Sequence, residues 1–114
     1  MTIIYKICPA ALWREAERSG AFRGSEVDLR DGFIHFSSAA QAAETAAKHF
    51  AGQHGLVLVH VDVAKLGDKL KWEPSRGGAL FPHLYGELDL AAVSRVEALP
   101  LGPDGTHQLP PLNF

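Results

Sequence analysis

The pattern of apolar and polar positions predicts strands at five places along the chain. Short runs rich in β-branched or alternating apolar residues are typical of strands, and turn-forming residues bound several of them. The runs are residues 3–7, 32–36, 56–63, 69–73 and 93–99. The run 56–63 is apolar on both faces through its first half, which predicts a central strand covered on both sides.

A first helix is predicted directly after the first strand. Pro9 is suited to the start of a helix, and Ala10 to Arg18 is rich in strong helix formers. Gly20 follows and is expected to end the helix. Trp13 lies on the apolar face, so we expect it to anchor this helix to the core.

A second helix is predicted after the run 32–36. Ser38 and Gln41 have the spacing of a capping box, with Ser38 as N-cap. The helix is expected to continue to Phe50 and to end at Gly52. Its inner face consists mainly of alanines, which would let it lie close against a sheet.

The polar segment 21–31 has no clear period and is interpreted as a loop with at most one turn. Loops of this length inside a compact domain often carry function. Arg23 and Arg30 are therefore candidates for holding a phosphate or a carboxylate, with solvated surface charge as the alternative.

Three other segments complete the organisation of the chain. Residues 74–78 are interpreted as a flexible loop that could close over a ligand. The element formed by residues 87–90 stays open. Four of the seven prolines follow position 99, so residues 1–99 are predicted to form a single domain and residues 100–114 an irregular tail.

The order of elements predicts an α+β fold with a small mixed or antiparallel sheet and two main helices.

Composition and charge narrow the class of protein further. A chain of 114 residues with 46% hydrophobic content can form one domain with an ordinary core. The formal charge of −2 argues against nucleic acid as a main partner. The single cysteine, Cys8, fits a reducing compartment and is expected to be a buried apolar residue. No secretory leader or membrane span is recognisable, so we expect a cytoplasmic protein that does not bind membranes; its oligomeric state is not predicted.

The stretch 32–38 carries the first group of candidate site residues. His35 and Ser37 point to the same face if the strand continues that far, and Ser38 lies where unpaired helix N–H groups accumulate. We interpret all three as ligand-binding candidates that face the stretch 80–86 across one cleft. The alternative is a core histidine bonded to a backbone carbonyl, with Ser37 capping the helix. A serine nucleophile is improbable, because no triad spacing and no nucleophile-elbow motif occur.

The stretch 80–86 and the residues before it carry the second group. Phe81, His83 and Tyr85 share a face if this segment is extended, which would suit a planar aromatic ligand. An aromatic minor core is the alternative. Glu73 and His83 are the candidate catalytic residues, with Glu73 as the best candidate for a catalytic carboxylate, and Arg76 in the loop 74–78 is included as a ligand-binding candidate.

No metal site is predicted. The chain has six histidines, but none is part of a recognisable metal-ligand spacing, and no phosphate-binding glycine motif is present.

The two candidate stretches together resemble the DUF952 family of small bacterial proteins of unknown function. The resemblance extends from the first strand to about Val96. It is carried by the segments Gly32-Phe33-Ile34-His35-Phe36-Ser37, Trp72-Glu73 and Phe81-Pro82-His83-Leu84-Tyr85-Gly86, together with Gln41. The family's fold is similar to that of ADP-ribosyltransferases, which implies NAD or a related ADP-ribosyl compound as ligand.

The resemblance also implies roles for individual residues. His35 would correspond to the histidine that holds a ribose hydroxyl of NAD in ADP-ribosyltransferases. Many of those proteins continue with glycine and threonine, where this chain has Phe36 and Ser37. Tyr85 would correspond to the tyrosine that stacks on nicotinamide.

Two functions follow as alternatives. The first is an ADP-ribosyl-class transferase or hydrolase that uses NAD as substrate and requires no other cofactor, with Glu73 or Glu87 as the catalytic glutamate. The second is a non-catalytic module that binds a small ligand or another partner and retains only the fold.

Overall fold

The computed structural model describes residues 2–75 and 77–112, and its architecture is α+β. Within these residues all paired strands are antiparallel. The helices are α1 (Ala10–Ser19), α2 (Glu26–Asp31) and α3 (Ala42–His49). The strands are β1 (Ile3–Pro9), β2 (Ala21–Phe22), β3 (Ile34–His35), β4 (Leu56–Asp62), β5 (Leu70–Ser75), β6 (Ala79–Leu84), β7 (Leu88–Asp89) and β8 (Val93–Leu99). The predicted fold class is confirmed at this level.

The main sheet has the order β1-β4-β8, with β4 in the centre. Alternate residues of β4 point into two different apolar clusters. Val59 and Val61 lie in the cluster that includes α1, whereas Leu56 and Leu58 lie in the cluster on the α3 side. The prediction of a central strand covered on both faces is therefore confirmed.

Helix α1 forms where the sequence predicts it. Pro9 precedes its first residue, and Gly20 ends it in the left-handed conformation with its N–H donated to the Ala16 carbonyl at 2.9 Å. Trp13 and Ala16 are buried, and the Trp13 ring lies 5.5 Å from that of Phe22. Trp13 therefore anchors the helix, as expected.

The prediction of a loop over residues 21–31 is wrong, because this segment contains β2 and α2. Strand β2 pairs with β7, which also assigns the segment 87–90 that the sequence left open. Helix α2 begins after Ser25, whose backbone N–H donates to the Asp28 carboxylate at 2.8 Å. A carboxylate three residues after a helix N-cap accepts a backbone N–H that has no acceptor within the helix itself.

The predicted strand 32–36 is shorter than expected and connects two sheets. Only Ile34 and His35 pair with β6, in a sheet of order β3-β6-β5. Ser37 then exchanges two backbone hydrogen bonds of 2.8 Å with Tyr5 of β1. This short crossing brings the β3-β6-β5 sheet against the main sheet.

Helix α3 begins later than the capping-box pattern indicates. The Gln41 side chain does accept the Ser38 N–H at 3.0 Å, as predicted. However, residues 39–41 form a turn, so Ser38 is not the N-cap. The helix was expected to continue to Phe50, which is instead its C-cap, and its last residue is His49.

The predicted loop 74–78 is shorter than expected, because its first two residues belong to a strand and Gly77 and Gly78 form a turn. Pro74 and Ser75 belong to β5 and pair with Leu80 and Ala79. Proline is tolerated here because β5 is an edge strand. Arg76 lies outside the described residues.

The segment 100–112 is irregular, as predicted, and packs on the main sheet. Leu109 and Leu112 contact the apolar cluster on the α3 side. Phe114 lies outside the described residues, and the domain boundary at residue 99 stays a prediction. In the part of the chain that is described, no helix is both long and apolar enough to cross a membrane.

Candidate functional site

His35 and His83 lie directly opposite each other on neighbouring strands. They form a cross-strand pair between β3 and β6, with ring centroids 5.4 Å apart. The expectation that the stretches 32–38 and 80–86 form opposite walls of a cleft is therefore wrong. They are neighbours in one sheet, because the two-residue strand β3 pairs with the end of β6.

Glu73, His83 and Tyr85 form a hydrogen-bonded group on this face. The Glu73 Oε1 atom accepts from His83 Nδ1 at 2.8 Å and from the Tyr85 hydroxyl at 2.7 Å. Phe81 lies opposite Glu73 in the ladder and is buried. The β5–β6 register thus brings together four of the predicted site residues.

Two hydrogen bonds keep Glu73 ionised. The Tyr85 hydroxyl and then the His83 ring hold the pKa of the Glu73 carboxyl below its usual range. The same contact raises the pKa of Tyr85, so its hydroxyl remains a donor. Glu73 keeps 35% of its side-chain surface exposed, whereas only 5% of the His83 side chain is exposed. The group therefore presents an oriented carboxylate at the protein surface.

Phe33 links this group to His35 and was not among the predicted site residues. Its ring stacks on His83 at 4.2 Å and lies 4.6 Å from the ring of His35 and 5.2 Å from that of Tyr85. Its position two residues before His35 places it on the same face of an extended segment, and this spacing could have identified it. His83 Nε2 is buried and has no hydrogen-bond partner among the described residues. Packing against Phe33 and the bond to Glu73 thus fix the His83 ring.

His35 lies between two carboxylates. Its Nδ1 is 2.7 Å from Asp28 Oδ1, and its Nε2 is 3.0 Å from Asp31 Oδ2. The alternative of a bond to a core backbone carbonyl is therefore not what the structure has. Neither aspartate was predicted to be a site residue, because the segment 21–31 was interpreted as a loop.

Asp28 is a buried carboxylate with an unusually full set of donors. It binds Lys6 Nζ at 2.8 Å through Oδ2, accepts the Ser25 N–H, and accepts both the ring and the backbone N–H of His35. Burial by itself raises the pKa of this carboxyl, but the His35 hydrogen bond and the Lys6 ammonium together hold it well below its usual range. Asp28 is therefore the residue that connects β1, α2 and β3.

We expect Gly24→Ala to destabilise the protein by about 1–3 kcal/mol more than Gly20→Ala. Both glycines have positive φ, +120° and +92°. A Cβ at Gly24 would lie only 2.7 Å from the Asp28 Cβ, whereas a Cβ at Gly20 meets nothing within 4 Å. Urea unfolding of the two variants measures the difference, and equal losses would contradict the prediction.

Ser37 and Ser38 are not part of the group formed by Glu73, His83 and Tyr85. The buried Ser37 hydroxyl is 2.8 Å from the Thr45 hydroxyl, and this partner is not a base that could activate a serine nucleophile. Ser38 is engaged through its backbone with Gln41. Glu87 binds Arg23 at 2.7 Å on the protein surface, so Glu73 is the better candidate of the two glutamates.

A cleft of about 1080 Å³ opens beside His35 and Ser37. Its other sides are formed mainly by β1, α1, α2 and α3, and not by the stretch 80–86 as expected. Its charged residues include Lys6, Glu15, Glu26, Asp28, Arg30 and Asp31. His35 therefore lines the cleft and also contacts the ring of His83, a member of the hydrogen-bonded group with Glu73 and Tyr85. No group of three or more histidine, cysteine or acidic side chains suited to a metal occurs within residues 2–75 and 77–112.

Cys8 is expected to react with a thiol reagent only after unfolding. It is fully buried, and burial raises the pKa of its thiol to about 11. Ellman's reagent at pH 8 should therefore label denatured protein rapidly and native protein only at the rate of its opening. Rapid labelling of native protein would show that Cys8 is accessible.

The chain as a whole is similar to solved structures and to one family model. The chain superposes on the crystal structure of protein CC0527 from Caulobacter crescentus with a TM-score of 0.90 and 55% sequence identity, over 94% of each chain. The solution NMR structure of CC0527 gives a TM-score of 0.85 and 56% identity, over 95% of this chain and 93% of that one. No curated protein matches the sequence. The model of the DUF952 family, described as a protein of unknown function, matches residues 7–96, and the chain therefore belongs to this family.

Proposed function

We propose that this protein binds NAD or a related ADP-ribosyl compound and cleaves its N-glycosidic bond at Glu73. The observation that supports this most strongly is the Glu73 carboxylate, which His83 and Tyr85 orient beside the rings of Phe33 and Tyr85. The choice of NAD comes from the expectation, stated from the sequence, that the fold of this family resembles that of ADP-ribosyltransferases. NAD enters as substrate and not as a resident cofactor.

The charge of the carboxylate fits the chemistry of this bond. When the bond between C1′ of the ribose and the nicotinamide nitrogen breaks, its electron pair leaves with nicotinamide and positive charge develops on the ribose. An ionised carboxylate held in place before the reaction stabilises that charge without reorganising. A water molecule or another nucleophile then bonds to C1′ and releases its proton to solvent.

The aromatic rings fit the leaving group. The nicotinamide ring of NAD is planar and positively charged, and such rings are attracted to the faces of aromatic side chains. Tyr85 is 39% exposed, and its ring lies 5.2 Å from that of Phe33, so its exposed part is accessible to such a ligand.

Incubation of the protein with NAD tests the proposal. We expect release of free nicotinamide, measured by liquid chromatography, and NMR shifts at the amides of Phe33 and Tyr85. NADH is the matched control, because its dihydronicotinamide ring carries no positive charge and it should not be cleaved. Unshifted amides at millimolar NAD, together with no nicotinamide release, would reject the proposal.

A non-catalytic binding module is the second candidate, and the state of His35 favours it. Both ring nitrogens of His35 are engaged by aspartates, so neither is open to a ribose hydroxyl in this arrangement. This candidate predicts thermal stabilisation by NAD without nicotinamide release.

A further inference from the structure

The two carboxylates that hold His35 differ in how firmly they are fixed. Asp28 is buried and also bound by Lys6 and Ser25. Asp31 is the last residue of α2, and 33% of its side chain is exposed. Its other bonded partner, Arg30, lies at 3.3 Å and is itself 72% exposed. Asp31 can therefore turn towards solvent at small cost, whereas Asp28 cannot.

Each contact to a carboxylate requires a donor on the ring, because an ionised carboxylate only accepts hydrogen bonds. Nδ1 is committed to Asp28 at 2.7 Å. When Asp31 turns away, Nε2–H is left as a donor at the wall of the cleft that both residues line. An oxyanion is the kind of group that such a donor binds most strongly.

The other charges that line the cleft with His35 also favour an anion once Asp31 has moved. Lys6 and Arg30 then face the single buried negative charge of Asp28. The remaining carboxylates of the cleft, Glu15 and Glu26, are solvent-exposed, and Glu15 is paired with Arg18. Exposed charges act weakly because water and salt screen them.

We propose that His35 Nε2 is an oxyanion-binding point, and that Asp31 occupies it until a phosphate or pyrophosphate oxygen displaces the aspartate. This deepens the proposed function and rests on it for the identity of the ligand, since the pyrophosphate of an ADP-ribosyl compound is the anion in question. The cleft volume of about 1080 Å³ leaves room for such a group. It also gives His35 a role other than contact with a ribose hydroxyl.

Calorimetric titration with inorganic pyrophosphate tests this. Removing the competing carboxylate in Asp31→Asn should tighten pyrophosphate binding by about tenfold relative to the unchanged protein. Asp68→Asn is the matched control, because it removes one exposed negative charge outside the cleft and should leave the affinity unchanged. His35→Gln should abolish binding. In the unchanged protein, pyrophosphate should shift the ¹⁵N resonance of His35 Nε2 while leaving that of Nδ1 nearly constant.

Equal affinity in Asp31→Asn and the unchanged protein would overturn the proposal, and so would pyrophosphate binding that survives His35→Gln. If Asp31→Asn does not fold, Asp31→Ser makes the same change with a smaller side chain. Pyrophosphate has no N-glycosidic bond, so its binding does not depend on whether Glu73 cleaves NAD. Failure of the anion site and failure of the proposed cleavage are thus separate results.

Discussion

Replacing Asp28 with asparagine is expected to lower the free energy of unfolding at pH 7 by about 3–5 kcal/mol. The substitution leaves the Lys6 ammonium buried, with only 7% of its side chain exposed, and without its carboxylate. It also weakens the bond to His35 that joins α2 to β3. Urea denaturation followed by tryptophan fluorescence measures the loss, because Trp13 is buried and reports on the core.

A double-mutant cycle separates the ion pair from other effects of the substitution. Lys6→Met removes the charge but keeps an apolar side chain of similar length. Once Lys6 is gone, Asp28→Asn should cost clearly less than it does alone, since the buried ammonium that interacts with the carboxylate is then absent. A loss below about 1 kcal/mol in the single variant Asp28→Asn would contradict this account of the buried pair.

The Asp28 carboxylate should also make the stability of the protein sensitive to acid. The pKa of Asp28 is lower in the folded state than its ordinary value of 3.8. A group with a depressed folded pKa contributes its full stability above the unfolded pKa and loses it as the pH falls towards the folded pKa. Stability should therefore fall as the pH drops below about 4, and the fall should be shallower in Asp28→Asn. If stability falls equally steeply with pH in the unchanged protein and in Asp28→Asn, this prediction is wrong.

Local patterns were sufficient to predict the elements that have a continuous buried apolar face. Strand β4 is apolar on both faces and is the centre of the main sheet, and α1 is bounded by Pro9 and Gly20 as expected. The pattern failed for α2, which is polar and only six residues long. Its start depends on the Ser25–Asp28 bond, and its position depends on Lys6, which lies 22 residues from Asp28 in the chain. Local periodicity contains no information on such a distant pair.

The candidate site likewise contains residues that the sequence predicted and residues that it did not. His83, Tyr85 and Glu73 stand out as polar residues next to large apolar ones, and the β5–β6 ladder brings them together. That ladder is a hairpin, so its pairing is close in sequence. The partners of His35 could not be found in this way, because Asp28 and Asp31 reach it through a helix that the sequence did not reveal. The structure thus retains His35 as a site candidate but changes its expected partners.

Replacing Glu73 with glutamine is expected to reduce kcat for nicotinamide release from NAD by about 100-fold or more, with KM changed only a few-fold. Glutamine has nearly the same shape and can still accept the Tyr85 hydroxyl, but it has no negative charge to stabilise the developing positive charge on the ribose. Glu87→Gln is the matched control, since Glu87 is an exposed glutamate that binds Arg23. Loss of activity in Glu87→Gln but not in Glu73→Gln would move the catalytic role to Glu87.

The pH profile of the same reaction reports on the orientation of Glu73. The Tyr85 hydroxyl is the main reason that the pKa of Glu73 lies below its ordinary value of 4.5, with His83 contributing in the same direction. The midpoint of the acid limb of the rate should therefore lie below pH 4.5, because the carboxylate stays ionised to lower pH than an ordinary glutamate. Tyr85→Phe removes this donor, raises the pKa of Glu73 and should move the acid limb to higher pH. An acid limb that stays in place in Tyr85→Phe would mean that ionisation of another group controls the rate, and Glu73 would then lose its assigned role.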